Sequence, residues 1–384
     1  PIMETVFVLS REPVNLSGLS SRFILVEFSL EGTTEEERAK LFGGCAARCG
    51  LPMAEDVDLR ELAVKFKLEP LQIQNAVTQA EGSARVHRRE QVDAGTLHRS
   101  CYAQVIHKLG DLATKVKPAY SWEDLVLPAP QIKLMQEACA HIRHSYQVYN
   151  DWGFGGRVTY GRGLSMLFSG PPGTGKTMGA QVVANQLHME LYKIQLSQVV
   201  SKYIGETEKN LRAVFQEAKH SNCILFFDEC DALFGKRAEV KDSHDRHANV
   251  ETAYLLQQVE EHEGVTVMAT NLLQNIDAAF MRRIGFVVNF PFPDKETRVK
   301  LYRSMLPERV PFSEDIDFDF LAEKFKVSGG SIKNIVLHAA FLAAAQGKPI
   351  GMEQMLNAAV NEMRKNEIIV AREDLREYAD LIFS

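Results

Sequence analysis

Gly170-Pro171-Pro172-Gly173-Thr174-Gly175-Lys176-Thr177 is the stretch that decides the fold. It fits G-x-x-x-x-G-K-[ST], a phosphate-binding loop. The apolar run before it, Leu164 to Ser169, reads as a buried strand. The run after it, Thr177 to Leu187, has helical spacing with Gly179 as its one breaker. Strand, glycine-rich turn and helix are the context such a loop needs. Glycines let backbone N–H groups close on phosphate oxygens, and the helix start adds the positive end of its dipole. Pro172, Gly173, Thr174, Gly175 and Met178 then surround the phosphates of ATP. Lys176 reaches the β- and γ-phosphates, and Thr177 holds Mg²⁺. A glycine–proline turn that fits by accident is the bland alternative. The full octapeptide in this context disfavours it.

Downstream, strands and helices alternate. Strand patterns cover Glu190 to Gln195, Cys223 to Phe227, Val265 to Thr270 and Phe286 to Phe290. Helical patterns cover Ile132 to Tyr149, Thr207 to Lys219 and Ala248 to Glu261. This is the signature of an α/β fold with a parallel sheet. Residues 294–384 read as all helix. Ile224-Leu225-Phe226-Phe227 is an apolar strand that ends in two carboxylates, Asp228 and Glu229. One acid at such a tip can orient hydrated Mg²⁺, the place of Asp228. A second can activate an attacking water, the place of Glu229. Alone, an apolar run before Asp-Glu is weak evidence; about fifty residues after the octapeptide it is strong. Asn271 ends the next buried strand. It could bond the γ-phosphate or the attacking water, or simply form a turn.

Composition bounds what else the chain can be. It has 384 residues, 45% hydrophobic and 24% charged, enough for ordinary cores in two to three domains. A formal net charge of −6 argues against a general grip on nucleic acid, although a local basic groove stays possible. No apolar run reaches the roughly 20 residues of a membrane span. The first residues, Pro1 to Thr5, lack the basic-then-apolar order of a secretory leader. Six cysteines without a C-x-x-C pair or zinc spacing imply reduced thiols, and the expected compartment is cytoplasmic.

A long internal repeat sets the domain plan. Glu55 to Lys67 matches Glu314 to Lys326 at a constant offset of 259, which also relates Phe66 to Phe325 and Asn75 to Asn334. Arg38-Ala39-Lys40-Leu41 matches Arg298-Val299-Lys300-Leu301 at an offset of 260. That period is too long for a solenoid and implies a duplicated domain. The expected divisions are 1–30, the end of a first α/β core; 31–112, its helical lid; 113–122, a linker; 123–292, the nucleotide-binding core; and 293–384, a second lid with C-terminal helices. Pro1 is not a natural translation start, so the expectation is the later part of a longer chain with two tandem modules.

Gly170 to Thr177, then Phe-Phe-Asp-Glu at 226–229, then Ala-Thr-Asn at 269–271 resemble the AAA family of the AAA+ ATPases. The likeness covers about residues 121–365, and the repeat extends it over 1–110. It implies a five-stranded parallel sheet with a helical lid, nucleotide at the joint between them, and a homo-hexameric ring. Arg282 and Arg283 occupy the family's position for a finger that completes a neighbour's site, where a positive charge offsets charge developing on the γ-phosphoryl oxygens. Which of the two serves stays open, with Arg283 slightly favoured. Tyr203-Ile204-Gly205 resembles the central-pore loop that grips an extended polypeptide. Asp242 to Asn249 corresponds to a second pore-facing loop. Leu125 and Val126 would pack on adenine, and Gly329 and Gly330 would allow close approach of the nucleotide. Lys333 is either a weak second sensor or a solvent-facing lysine. The first copy departs from this pattern, with Arg11 near the position of Asn271 and Glu69-Pro70-Leu71 in place of Ser328-Gly329-Gly330. It is expected to be degenerate.

The resemblance thus implies an ATP-hydrolysing ring motor that threads, unfolds or remodels protein substrates. His244 to Leu256 is similar to tandem-module bacterial members, among them those that accompany contractile injection systems. Two rivals remain: a nucleic-acid motor or loader, and a scaffold whose assembly is controlled by nucleotide.

Overall fold

Three of the described strands are buried along nearly their whole length, and such strands have to be covered on both sides. In the computed structural model, which describes residues 28, 32–104, 112–157, 161–199, 206–221, 223–230, 253–276, 278–307 and 309–382, they form the centre of a six-stranded sheet. The strands are β1 (Ala113–Val116), β2 (Leu164–Ser169), β3 (Glu190–Ile194), β4 (Cys223–Phe227), β5 (Val265–Thr270) and β6 (Phe286–Asn289). Their order is β1-β3-β4-β5-β2-β6. β2 to β6 pair in parallel, giving the five-stranded parallel sheet expected. β1 adds an antiparallel edge against β3, with Ala113 opposite Ile194. These four residues lie in the stretch read as linker, 113–122. A strand of four residues, Ala-Thr-Lys-Val, has no alternation to be read, and the edge of β3 supplies its partner.

Helices cover both faces. The helix Lys176–Gln186 and the helix Ala129–Arg143 lie on one side, where Phe168, Ile224, Phe226, Val267 and Phe290 are buried. Glu206–Ser221 and a helix over residues 253–261 lie on the other, around Leu167, Phe215, Leu225, Phe227 and Met268. Parallel strands sandwiched in this way present their C-terminal ends along one edge, where ligand crevices form.

Two helical units flank this core. The second contains Lys295–Ser304, Phe318–Lys324, Gly329–Gln346 and Met352–Lys365, followed by the 3-10 segment Arg372–Leu381. The first contains Glu35–Ala47, Leu59–Lys65, Pro70–Val86 and Ala94–Gln104. Each has its own apolar core. The first unit meets the α/β core where the helix Lys176–Gln186 ends. Lys65 Nζ donates to the carbonyls of Leu187 (3.4 Å) and His188 (2.8 Å), and the Tyr102 hydroxyl donates to His188 (2.9 Å). A cation at a helix C-terminus meets the negative end of the dipole. Lys67 pairs with Glu263 at 3.1 Å beside this contact.

Of the stretch 1–30 expected to end a first α/β core, all but Phe28, Arg11 included, lies outside the described residues. So do Tyr203, Ile204 and the segment Asp242 to Asn249. Among the described residues, no helix is long and apolar enough to cross a membrane.

Candidate functional site: a cleft between core and lid

The site begins at the end of β2. Gly170 has φ +147°, and a Cβ there would lie 2.0 Å from the Phe290 carbonyl oxygen, so the turn out of the sheet admits only glycine. Three residues on, Gly173 has φ +75° and faces the lid, where a Cβ would stand 2.5 Å from Ser328 Oγ. The Gly330 N–H donates to the Gly173 carbonyl at 2.9 Å. The start of the lid helix Gly329–Gln346, capped by Ser328, is thereby joined to the phosphate loop by backbone alone.

A cleft of about 470 Å³ opens at this joint. It is lined by Leu125 and Val126, by Pro172 to Met178, by Asp228, Glu229 and Asn271, and by Gly329, Gly330 and Lys333. The volume is in the range of a small-molecule site. Residues far apart in the chain are brought together because β2, β4 and β5 are adjacent and end at one edge. Lys176 is buried, and its ammonium donates to the carbonyls of Gly170 (2.7 Å) and Pro171 (2.9 Å) and to Asn271 Oδ1 (2.8 Å). Asn271 thus reaches the lysine of the phosphate loop, a contact a bare turn residue would not need.

Asp228 stands one residue past β4. Its Oδ1 accepts the Glu229 N–H at 3.1 Å, and its Oδ2 accepts Lys193 Nζ at 2.6 Å. Glu229 is exposed at φ +55°, the left-handed region that a non-glycine residue enters at a cost of about 1–2 kcal/mol. The next residue anchors it, since the Cys230 N–H donates to Ala269 at 2.9 Å across to β5. Glu229 forms part of the cleft wall.

The donor set fits ATP with Mg²⁺. Left-handed glycines, a helix start and a buried ammonium suit phosphates. Thr177 and Asp228 offer the hard oxygen donors of Mg²⁺, which is held by few side chains plus phosphate. Among the described residues, no cluster of three or more His, Cys, Asp or Glu forms an all-protein metal cage. Leu125, Val126, Leu301, Met305 and the exposed Phe292 make the cleft's apolar end, suited to a base.

Two predicted residues stay outside the cleft. Arg282 and Arg283 follow the short helix Ala278–Met281 and are exposed. Arg283 Nε lies 3.1 Å from Glu260 Oε2, whereas Arg282 has no ion-pair partner among the described residues. Sequence reasoning missed two features. The turn Pro291-Phe292-Pro293 lines the cleft between β6 and the lid. Its signal was an apolar turn at a domain joint. Lys193 is the other: it shares a strand face with buried Leu191, and a charge on an inward face at a strand's C-terminal end was visible in the pattern.

Comparison with known proteins agrees with this architecture. The family model described as "ATPase family associated with various cellular activities (AAA)" matches residues 166–292. The chain is 28% identical over 368 residues to a protein named cell division cycle protein 48 homolog from Archaeoglobus fulgidus, covering 86% of this chain and 49% of that one. It is 32% identical over 210 residues to a probable 26S proteasome regulatory subunit 6B from Caenorhabditis elegans, covering 53% of this chain and 50% of the relative. An uncharacterized AAA family ATPase from Sinorhizobium fredii is 32% identical over 184 residues, 48% of this chain and 54% of the relative. The chain therefore spans about half the length of these curated relatives. The α/β core with its crevice at the strand ends has the architecture of a nucleotide-binding domain. Over residues 166–292 it is similar to the AAA ATPase family.

Proposed function

We propose that this protein is a Mg²⁺-dependent ATP hydrolase that works in a ring and uses hydrolysis to remodel protein substrates. The observation that carries the reading is the cleft itself. Phosphate loop, two acids, Asn271 and the lid's glycines meet at one joint, so that nucleotide chemistry and lid position are coupled.

Lys176 holds the β- and γ-phosphates, which exchange for the loop carbonyls it now bonds. Thr177 and Asp228 hold Mg²⁺, which supplies charge neutralisation on the phosphates. Glu229 takes a proton from the attacking water and Asn271 orients that water or the γ-phosphate. Leu125, Val126 and Phe292 enclose the base, and Lys333 faces the phosphates from the lid. Arg282 and Arg283, exposed and away from their own cleft, are the residues assigned to act on a neighbouring subunit. The names of the relatives, a cell division cycle protein 48 homolog and a proteasome regulatory subunit, support protein rather than nucleic acid as the material handled. Tyr203 and Ile204 are the residues assigned to grip it.

The test compares Glu229→Gln with wild type. The expected result is a fall in ATP turnover of about 10²–10⁴-fold with ATP binding retained. Normal turnover in Glu229→Gln overturns the assignment of the base. Full remodelling activity in Tyr203→Ala overturns the threading role. Separate Arg282→Ala and Arg283→Ala variants identify the finger: the variant that lacks it is slow by itself and regains turnover when mixed with Glu229→Gln subunits, which supply the arginine in trans.

A further inference from the structure

The ion pair between Lys193 and Asp228 is not part of the nucleotide site as read so far. Lys193 lies near the C-terminal end of β3, in register with Phe226 of β4. Asp228 follows two residues after Phe226, so the two side chains project on one sheet face, and Nζ and Oδ2 meet at 2.6 Å. The pair is only partly open to solvent: the Asp228 side chain is 19% exposed and that of Lys193 40%. Both Asp228 oxygens are engaged, Oδ1 by the Glu229 N–H and Oδ2 by the ammonium. A metal ion oriented by this carboxylate needs the same oxygens. Two cations cannot both be closely paired with one carboxylate without repelling each other.

We propose that Lys193 is a resident counter-cation of the metal-orienting carboxylate, holding Asp228 in place and giving way when Mg²⁺ is taken up. The inference rests on the ATP-site reading above and adds a residue to it. Lys193 acts through Asp228 and is a positioning residue. Its consequence is an elevated Mg²⁺ requirement: uptake of the metal is coupled to swinging the ammonium off Oδ2. The same displacement releases a lysine at the end of β3, the strand that leads toward the segment carrying Tyr203 and Ile204.

The experiment follows binding, not turnover. A fluorescent, non-hydrolysable ATP analogue is titrated onto the full chain in EDTA, and then at fixed analogue with increasing Mg²⁺. Wild type, Lys193→Met, Lys193→Arg and Asp228→Asn are compared, each checked by its melting curve. In Lys193→Met the Mg²⁺ half-saturation is expected to fall about fivefold, the factor carried by an exposed ion pair of upper-range strength. Affinity in EDTA is expected to stay unchanged, and Lys193→Arg is expected to restore the wild-type requirement. In an Asp228→Asn background, Lys193→Met should have no further effect. If Asp228→Asn alters the Mg²⁺ requirement and Lys193→Met does not, the proposal fails and the site reading stands. A weaker affinity of Lys193→Met in EDTA makes Lys193 a phosphate contact and also overturns it. If wild type binds no analogue, or Asp228→Asn leaves the Mg²⁺ response intact, the ATP-site reading itself is wrong.

Discussion

The two helical units are built from the same contacts and do different things. In each, one buried arginine ties the unit to the chain that enters it. Arg38 donates to the carbonyls of Ala63 (2.8 Å) and Thr33, and Arg298 donates to those of Ala322 (2.8 Å) and Pro293 (2.5 Å). In each, an aspartate caps the second helix: Asp58 accepts from Glu61, and Asp317 accepts from Phe320. Another holds the start of the fourth, with Asp56 taking the Ala94 N–H and Asp315 the Met352 N–H. A parallel bridge closes each unit, Met53 with Val92 and Phe312 with Ile350. The difference lies at the start of the third helix. Ser328-Gly329-Gly330 touches the phosphate loop, whereas Glu69-Pro70-Leu71 carries a capping exchange between Glu69 and Gln72. Scaffold and site are therefore separable: the frame survives without the phosphate-loop contact, and its owner docks on the far end of the phosphate-loop helix instead.

The largest effect should come from exchanging the three residues that differ. Ser328-Gly329-Gly330 replaced by Glu-Pro-Leu crowds Gly173, since a Cβ at either 329 or 330 would stand 3.3 Å from it, and brings a carboxylate toward phosphate. Nucleotide affinity should fall by about a hundredfold or more, roughly 3 kcal/mol. The lid should still fold, because its twin folds with those residues. A lid that unfolds in circular dichroism breaks the claim of separability. The next effect concerns the shared arginines. Arg38→Met and Arg298→Met each leave two carbonyls without their donor and should cost about 2 kcal/mol in their own unit. Hydrogen exchange resolves which unit loosens, and only Arg298→Met should also weaken nucleotide binding. Equal loss of binding in Arg38→Met would show that the first unit shapes the cleft.

The smallest effect is a pH dependence. Burial against the core pushes the Lys65 ammonium down to about 8, with Glu61 pulling the other way. The folded-state value is thus below the ordinary lysine value of about 10.4. The penalty for burying the charge is fully present below pH 8, and between pH 8 and 10.4 the unfolded chain binds more protons. Stability relative to Lys65→Met should therefore rise with pH across that window. A flat difference in urea midpoints across it would place Lys65 in water and undo the docked arrangement.

Much of the cleft was legible in the sequence because its chemistry is local in the chain. The octapeptide, Asp228-Glu229 and Asn271 each sit at a strand tip, and a strand tip announces itself by an apolar run that stops. The lid's Gly329 and Gly330 were legible for a second reason, the repeat, which shows what the twin has in their place. What was not legible depends on pairing between segments. β1 is too short to declare itself until β3 offers an edge. The Lys193–Asp228 pair needs the register of two strands, and the contact of Lys65 with Leu187 and His188 needs a surface formed by another unit. Arg282 and Arg283 are of this kind too, since the cleft of their own chain does not use them.

The left-handed backbone at Glu229 has an evolutionary consequence. A residue that suits φ +55° better, such as asparagine, should stabilise the core by up to about 1 kcal/mol. The same change removes the carboxylate assigned to water activation. Selection for thermal robustness alone would therefore drift this position away from glutamate and leave a sturdier, silent protein. That glutamate stands at a conformationally costly position is the mark of a trade in which turnover outweighs durability. A melting curve of Glu229→Asn beside its ATPase rate would put both sides of that trade on one plot.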